Sequence, residues 1–261
     1  MIVKKSPREL EKMAATGAVH TEVLQALGAM IAPGITTLEL DRTAERMVRE
    51  RGGTPTFKGY PGPSHPHPFP GSICASPDSM VVHGIPDETP LAEGQILSVD
   101  LGVTLDGWVA DAAVTFPVGA VGPVAERLIA TTRASLMAAV DACQAGGRLG
   151  DVSHAVQTVV EAGGLSVVRS LVGHGVGRNM HEDPQIPNYG PAGKGPRLEP
   201  GMVLAVEPMT TVGKPDVYEG DDHWAIFSRD GSLAAHFEFT IAVTEDGPRI
   251  LTPWHEGPGA L

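Results

Sequence analysis

The chain is poor in cysteine, with two thiols, Cys74 and Cys143, in 261 residues. Two cysteines so far apart build no disulfide framework and suit a reducing compartment. It is also poor in positive charge. Lys and Arg number 19 against 31 Asp and Glu, a formal net charge of -12, which argues against nucleic acid or an anionic membrane as the main partner. No apolar run approaches the ~18 residues of a membrane span. The opening Met-Ile-Val-Lys-Lys-Ser-Pro carries no apolar stretch of signal-peptide length behind its lysines. A cytoplasmic location is the expectation. No linker divides the chain either, so residues 1–261 are expected to form one α/β domain. A hydrophobic content of 42% and a charged content of 19% are those of a globular chain with ample core.

What is present is organised around Gly94-Gln-Ile-Leu-Ser-Val-Asp100-Leu-Gly-Val-Thr-Leu-Asp-Gly-Trp-Val-Ala-Asp111 and the apolar residues after it. This reads as two strands joined at Asp106-Gly107, a dipeptide favoured in tight hairpins. With that turn, Leu105 faces Trp108 and Gly102 faces Asp111. Asp100 shares a face with Gly102, so both carboxylates sit diagonally on one face of an apolar ribbon. Buried carboxylates need neutralising, and a metal ion is the usual means, although a solvent-facing hairpin fits this stretch alone equally well. Gly201-Met-Val-Leu-Ala-Val-Glu207 repeats Gly94 to Asp100 position by position, and Leu40, Ala44, Met47 and Val48 repeat in spacing as Val152, Val156, Val159 and Val160. A helix followed by an acid-tipped strand thus occurs twice, as two related halves would have it.

Helical spacing and capping signals predict helices over residues 7–30, 36 or 37 to 51, 124–145 and 150–162. Strands are expected at 72–76, 80–83, 165–172, 202–207, 224–228 and 235–244, the last two joined at Asp230-Gly231. A Pro-rich loop over 59–71 holds His65 and His67, a spacing that can bind metal but in such a loop more often sits in water. Five candidate ligands then lie on β-rich segments: Asp100, Asp111, His174, Glu207 and Glu238. Four carboxylates and an imidazole buried together require cations and suit a pair of divalent ions such as Mn, Fe, Co or Zn.

The flanking motifs make the set specific. Val82-His83-Gly84-Ile85-Pro86, Gly173-His174-Gly-Val-Gly177, Met180-His181-Glu-Asp-Pro184, Val206-Glu207-Pro208-Met209 and Glu238 with Thr240 resemble those of the type I methionine aminopeptidases, pita-bread metallopeptidases. The resemblance implies a central antiparallel sheet flanked by helices, with two halves about a pseudo-twofold. It implies that Asp100 chelates one ion and His174 binds the other. Asp111 and Glu238 bridge both, and Glu207 ligates and accepts the proton of the attacking water. His83 and His181 are not ligands in this reading; they hydrogen-bond the scissile amide and stabilise the tetrahedral intermediate. The substrate implied is the N-terminal methionine of peptides and nascent polypeptides, near the ribosome, with a small second residue preferred. Tyr60, Phe69, Cys74 and Trp224 fall where pocket walls belong, although such residues are buried in any core. Three departures stand out: Met180 replaces an aromatic, Phe239 replaces a histidine after Glu238, and the loop near Ser64 to Phe69 is long. Nothing resembles a dedicated interface, so a monomer is expected. The competing readings are a prolidase or X-Pro aminopeptidase on the same fold, and a peptide-binding relative that has lost catalysis.

Overall fold

The computed structural model describes residues 1–62, 67–257 and 259–261; His65 lies outside them. Helix α1, Pro7–Met30, opens on the predicted capping box. The Glu9 carboxylate accepts from the Ser6 backbone N–H at 2.9 Å and from the Ser6 hydroxyl at 2.8 Å, satisfying groups that the first helical turn leaves open. Helix α2, Thr37–Glu50, is capped by Thr36, whose Oγ1 also accepts from the Glu39 N–H at 3.1 Å, a bond that Ser6 does not make. Leu40, Ala44 and Val48 are buried along one face of α2, while Arg46–Glu50 and Arg49–Glu45 pair on the other.

Short strands β1 (Thr54–Pro55), β2 (Ile73–Pro77) and β3 (Met80–Val82) lead to the long hairpin of β4, Ile96–Leu105, and β5, Trp108–Pro117. Its register is the one the Asp106-Gly107 turn demands: Leu105 opposite Trp108, Gly102 opposite Asp111, Asp100 opposite Ala113. Both turn residues have positive φ, 51° and 73°, the signature of a two-residue hairpin turn matched to strand twist. Helix α1 lies across both strands of this ribbon.

Helices α3, Pro123–Ala142, and α4, Leu149–Ala162, form the second pair. The strands that follow are β6 (Ser166–Val167), β7 (Gly173–Gly175), β8 (Glu182–Ile186), β9 (Val203–Val206), β10 (Met209–Thr211), β11 (Val217–Glu219), β12 (Ile226–Ser228), β13 (Ala234–His236), β14 (Phe239–Thr244) and β15 (Gly247–Ile250). Pairing is antiparallel and falls into four ladders among the described residues. One joins β1, β4, β2 and β5; a second runs β15-β14-β9-β7-β8; two three-stranded ladders are β13-β10-β6 and β11-β12-β3. The repeated sequence falls on equivalent places, α2 with α4 and β4 with β9. Each strand is entered from a left-handed glycine, Gly94 at φ 88° and Gly201 at φ 90°, a conformation that costs other residues energy.

Two expectations are corrected, and three short strands were not expected. The strand expected over 165–172 is only β6, because the chain turns off before delivering β7. The strand expected over 235–244 breaks at Phe237-Glu238, where the chain leaves the β10 ladder for the β9 ladder: Phe237 N–H bonds Pro208 O, and Glu238 N–H bonds Ala113 O at 2.9 Å. Strands β10, β11 and β15 are three or four residues long and give too few alternations to stand out as a pattern. The main core packs all four helices against the sheets, through Leu24, Leu40, Leu136 and Val156 against Val99, Leu101, Leu204 and Phe239. A second cluster, including Phe57, Phe69, Cys74, Trp108, Met180 and Trp224, surrounds one mouth of the sheets.

Candidate metal centre

At that mouth the strand ends deliver the five candidate ligands. Asp100 and Asp111 come from the hairpin, His174 from the middle of β7, Glu207 from the end of β9, and Glu238 from the break between β13 and β14. His174 pairs with Ala205 and Phe239 with Val206, so the three ligands of the five-stranded sheet lie on adjoining rungs. One hydroxyl stitches that sheet to the hairpin. Thr240 Oγ1 donates to Asp111 O at 2.7 Å and accepts from Asp111 N–H at 3.0 Å, a physical reason for a threonine two residues after Glu238. The glycines around His174 also have a cause. A Cβ on Gly173 would lie 2.4 Å from Ala205 O, and one on Gly175 would lie 2.1 Å from Asp183 O, distances no side chain tolerates.

Ligand atoms of Asp111, His174 and Glu238 all fall within 4.8 Å of one another. His174 Nε2 lies 3.8 Å from Asp111 Oδ2 and 3.5 Å from Glu207 Oε1. Asp100 and Asp111 carboxyls lie in hydrogen-bonding reach of each other. Asp111 and Glu238 are only 2% and 1% exposed. Burial first, and then mutual repulsion, pushes the carboxyls of Asp111, Glu207 and Glu238 well above the usual range. Burial lifts Asp100 to about 7. Asp100 Oδ1, Asp111 Oδ1 and Glu238 Oε1 are buried with no hydrogen-bond partner among the described residues. Orphaned carboxylate oxygens converging on one point are what a divalent cation satisfies.

The imidazole is prepared for the same role. His174 Nδ1–H donates to Gly175 O at 2.9 Å, so the Nε2 lone pair faces the carboxylates. Burial, reinforced by the neighbouring His181, lowers His174 to about 4 and keeps it neutral. The donor set of oxygens with one imidazole fits the borderline divalent ions expected from the sequence.

His83 and His181 flank this group. His83 follows β3 at φ 61°, a left-handed conformation unusual for histidine. His181 sits at the mouth with its ring 4.4 Å from that of His174, and Tyr60 Oη lies 2.6 Å from its Nδ1. Its loop is pinned from two sides. Arg178 stacks 3.9 Å over Trp108 and donates to Gly107 O at 3.2 Å. The buried Lys5 ammonium meets Glu182 at 2.8 Å.

All the sequence-predicted site residues line one cavity of about 1010 Å³. Cys74 pairs with Asp100 across β2 and β4, and Phe69 meets Trp224 edge to face at 5.1 Å. The long loop does not displace its ends, because Phe69 N–H bonds Tyr60 O at 3.0 Å and Gly59 N–H bonds Phe69 O at 2.8 Å. His67 is not brought to the carboxylates; its carbonyl accepts from the Trp224 indole at 3.2 Å. Phe239 is fully buried and stacks on Trp254 at 4.6 Å, which places it away from the cavity. Sequence reasoning missed His236, which also lines the cavity. The two-residue period from Glu238 and Thr240 points back to it.

Residues 11–245 match the model of metallopeptidase family M24. The methionine aminopeptidase 1 of Bacillus subtilis is 48% identical over 252 residues, 97% of this chain and 99% of that one. The methionine aminopeptidase 1 of Mycobacterium tuberculosis is 48% identical over 259 residues, covering 97% and 95%. The crystal structure of methionine aminopeptidase from Rickettsia prowazekii superposes with a TM-score of 0.93 at 38% identity, over 97% of this chain and all of that one. The prolidase from Pyrococcus furiosus, at 19% identity and a TM-score of 0.73, shares the fold. The chain belongs to metallopeptidase family M24, and within that family to the methionine aminopeptidases.

Proposed function

We propose that this chain, acting as a single domain, removes the N-terminal methionine from peptides and nascent polypeptides whose second residue is small. The observation that carries the reading is the convergence of Asp111, His174 and Glu238 within 4.8 Å at an apolar-walled cavity. Kinship to methionine aminopeptidases over 97% of the chain supports the substrate.

Asp100, Asp111, His174, Glu207 and Glu238 would hold two divalent ions. Five donor side chains, four of them anionic, exceed what one ion needs for charge balance. Bound there, divalent ions supply Lewis acidity that lets water attack an amide at neutral pH. Glu207 takes the proton of that water and returns it to the departing amine. The Tyr60 hydroxyl donates to His181 Nδ1, so His181 presents Nε2–H to the substrate carbonyl, and His83 approaches from the β3 side. Tyr60, Phe69, Cys74, Met180 and Trp224 hold the methionine side chain and exclude water. The unbranched Met180 makes that wall more adaptable than an aromatic ring. A monomer in the cytoplasm, working near the ribosome, belongs to the same proposal. No helix among the described residues is long and apolar enough to cross a membrane.

The test is peptide cleavage by protein stripped of metal and reloaded with Mn, Fe, Co or Zn. Met-Ala-Ser is expected to lose its methionine, while Met-Lys-Ser and Gly-Pro peptides stay intact and Asp111→Asn is inactive. Cleavage of Gly-Pro in place of Met-Ala-Ser would move the chain to the proline-directed members of the fold.

A further inference from the structure

His236 is a buried titratable residue at the centre that the mechanism above leaves without a task. It is 2% exposed, lines the same cavity as the four acids and the imidazole of the candidate ligand set, and neither ring nitrogen has a hydrogen-bond partner among the described residues. A buried imidazole with both nitrogens unpaired is costly. The fold nonetheless holds it in place. Thr115 Oγ1 on β5 donates to His236 O at 2.8 Å and accepts from His236 N–H at 2.9 Å. Thr115 is itself bonded to Ser98 on β4 at 2.8 Å, and β13 pairs His236 with Met209. The hairpin that carries Asp100 and Asp111 thus fixes the His236 backbone, just as Thr240 fixes that of Asp111.

The ring so placed comes close to the Glu207 carboxylate, with His83 also near enough to interact. His236 Nε2 lies 3.7 Å from Glu207 Oε2, while the other oxygen of that carboxylate, Oε1, faces His174 at 3.5 Å. The two oxygens of Glu207 are therefore divided between two imidazoles of different kinds. His174 offers a lone pair at Nε2, because its Nδ1 proton is committed to Gly175 O. His236 has no such commitment and is free to carry its proton on Nε2.

We propose that His236 is a positioning residue for Glu207: its Nε2–H holds Oε2 and orients Oε1 toward the metal ligands. A small rotation of the Glu207 side chain shortens the 3.7 Å approach to an ordinary hydrogen bond of about 2.9 Å. Outer partners of this type fix the direction of a ligating carboxylate and so govern metal affinity. The inference rests on the metal-centre reading of Glu207 given above.

The experiment titrates apo protein with manganese by calorimetry, beside kcat and KM for Met-Ala-Ser after reloading. His236→Leu is expected to weaken manganese binding about tenfold to a hundredfold and to lower kcat with KM little changed. His236→Gln, whose amide N–H reaches the Nε2 position, retains most of both; His236→Asn, which matches only Nδ1, does not. In a Glu207→Gln background, His236→Leu adds no further loss of affinity, since the bond it removes has lost its acceptor charge. Should His236→Leu fail to fold, the Gln and Asn variants decide between themselves. Wild-type affinity in His236→Leu or His236→Asn overturns the proposal, as does an unchanged penalty in the Glu207→Gln background. Failure of the wild-type chain to bind any divalent ion overturns the centre itself and this inference with it.

Discussion

In the proposed mechanism Tyr60 sets which nitrogen of His181 carries the proton. Its hydroxyl lies 2.6 Å from Nδ1, burial keeps the phenol protonated, and as the donor in that bond it leaves the His181 proton on Nε2. Tyr60→Phe keeps the ring in the cavity wall and deletes only that bond. One hydrogen bond is worth about 1 kcal/mol net, so kcat on Met-Ala-Ser is expected to fall about fivefold with KM near wild type. An unchanged kcat would show that His181 needs no help with its tautomer. A second residue-scale prediction concerns His20 on α1, whose Nε2–H donates to Leu101 O at 2.6 Å, beside Asp100. Burial lowers His20 from 6.5 to about 4, despite the opposing bonds to Leu101 and Ala112. The unfolded chain thus takes up a proton near pH 6.5 that the folded chain refuses until about pH 4. Its stabilising contribution is complete above the unfolded value and declines as pH falls through that window. Relative to His20→Gln, the wild-type chain should lose about 2 kcal/mol of unfolding free energy between pH 7 and pH 5. Parallel urea titrations of the two proteins check this, and equal slopes would show that His20 does not set the acid side of the stability curve.

At the scale of elements, the loop carrying His181 is held by a buried ion pair at the other end of the chain. Lys5 and Glu182 side chains are 3% and 9% exposed and meet at 2.8 Å. Glu182 also accepts the N–H groups of Arg178 and Asn179 at 2.8 and 3.2 Å. Burial pushes its carboxyl up, but Lys5 and these N–H groups outweigh burial and leave it below the usual range. This support is therefore present above the unfolded carboxylate value and is lost as pH falls through the lower folded one. Lys5→Met strands the carboxylate and should cost about 3 kcal/mol. Because the same loop presents His181, kcat should fall more than stability alone explains, measured at a temperature where the variant is fully folded. The elements themselves were unequally legible. The β4–β5 hairpin could be read to the residue, because Asp106-Gly107 fixes the turn and period-two alternation fixes the faces. The capping box Ser6/Glu9 placed the first helix start, and the Thr36-Thr37 pair placed the second to within a residue. The strands of three or four residues were not legible, since their pairing is decided by partners distant in sequence. The break at Phe237-Glu238 was hidden for the same reason: its cause is Ala113 O on another strand. His236 was overlooked because a histidine one residue outside an apolar pair reads as core, until its Thr115 clamp is seen.

Across the whole molecule, the two halves each bring acids to a seam that neither half can neutralise. Asp100 and Asp111 arrive from the first, His174, Glu207 and Glu238 from the second. Thr240 and Thr115 lock the halves together at that point. Folding therefore forces carboxylates together that the unfolded chain keeps apart and solvated, a cost carried by the core around them. A divalent cation that binds only the folded arrangement stabilises it by mass action. At a hundredfold excess over its dissociation constant that amounts to about 2.7 kcal/mol, or roughly 5–10 °C in Tm for a chain of this size. Adding manganese to the stripped protein should raise Tm by this order, and a chelator should reverse it. Asp111→Asn separates the two sides of the balance. It removes one of the charges that Glu238 and Asp100 repel, so the stripped variant should melt higher than stripped wild type. It also removes an anionic ligand, so manganese should shift its Tm far less. A stripped variant that melts lower than wild type, yet responds to manganese as wild type does, would mean that the carboxylates are held apart by the fold. The acids would then be no more than buried polar residues, and the seam would have no need of a cation.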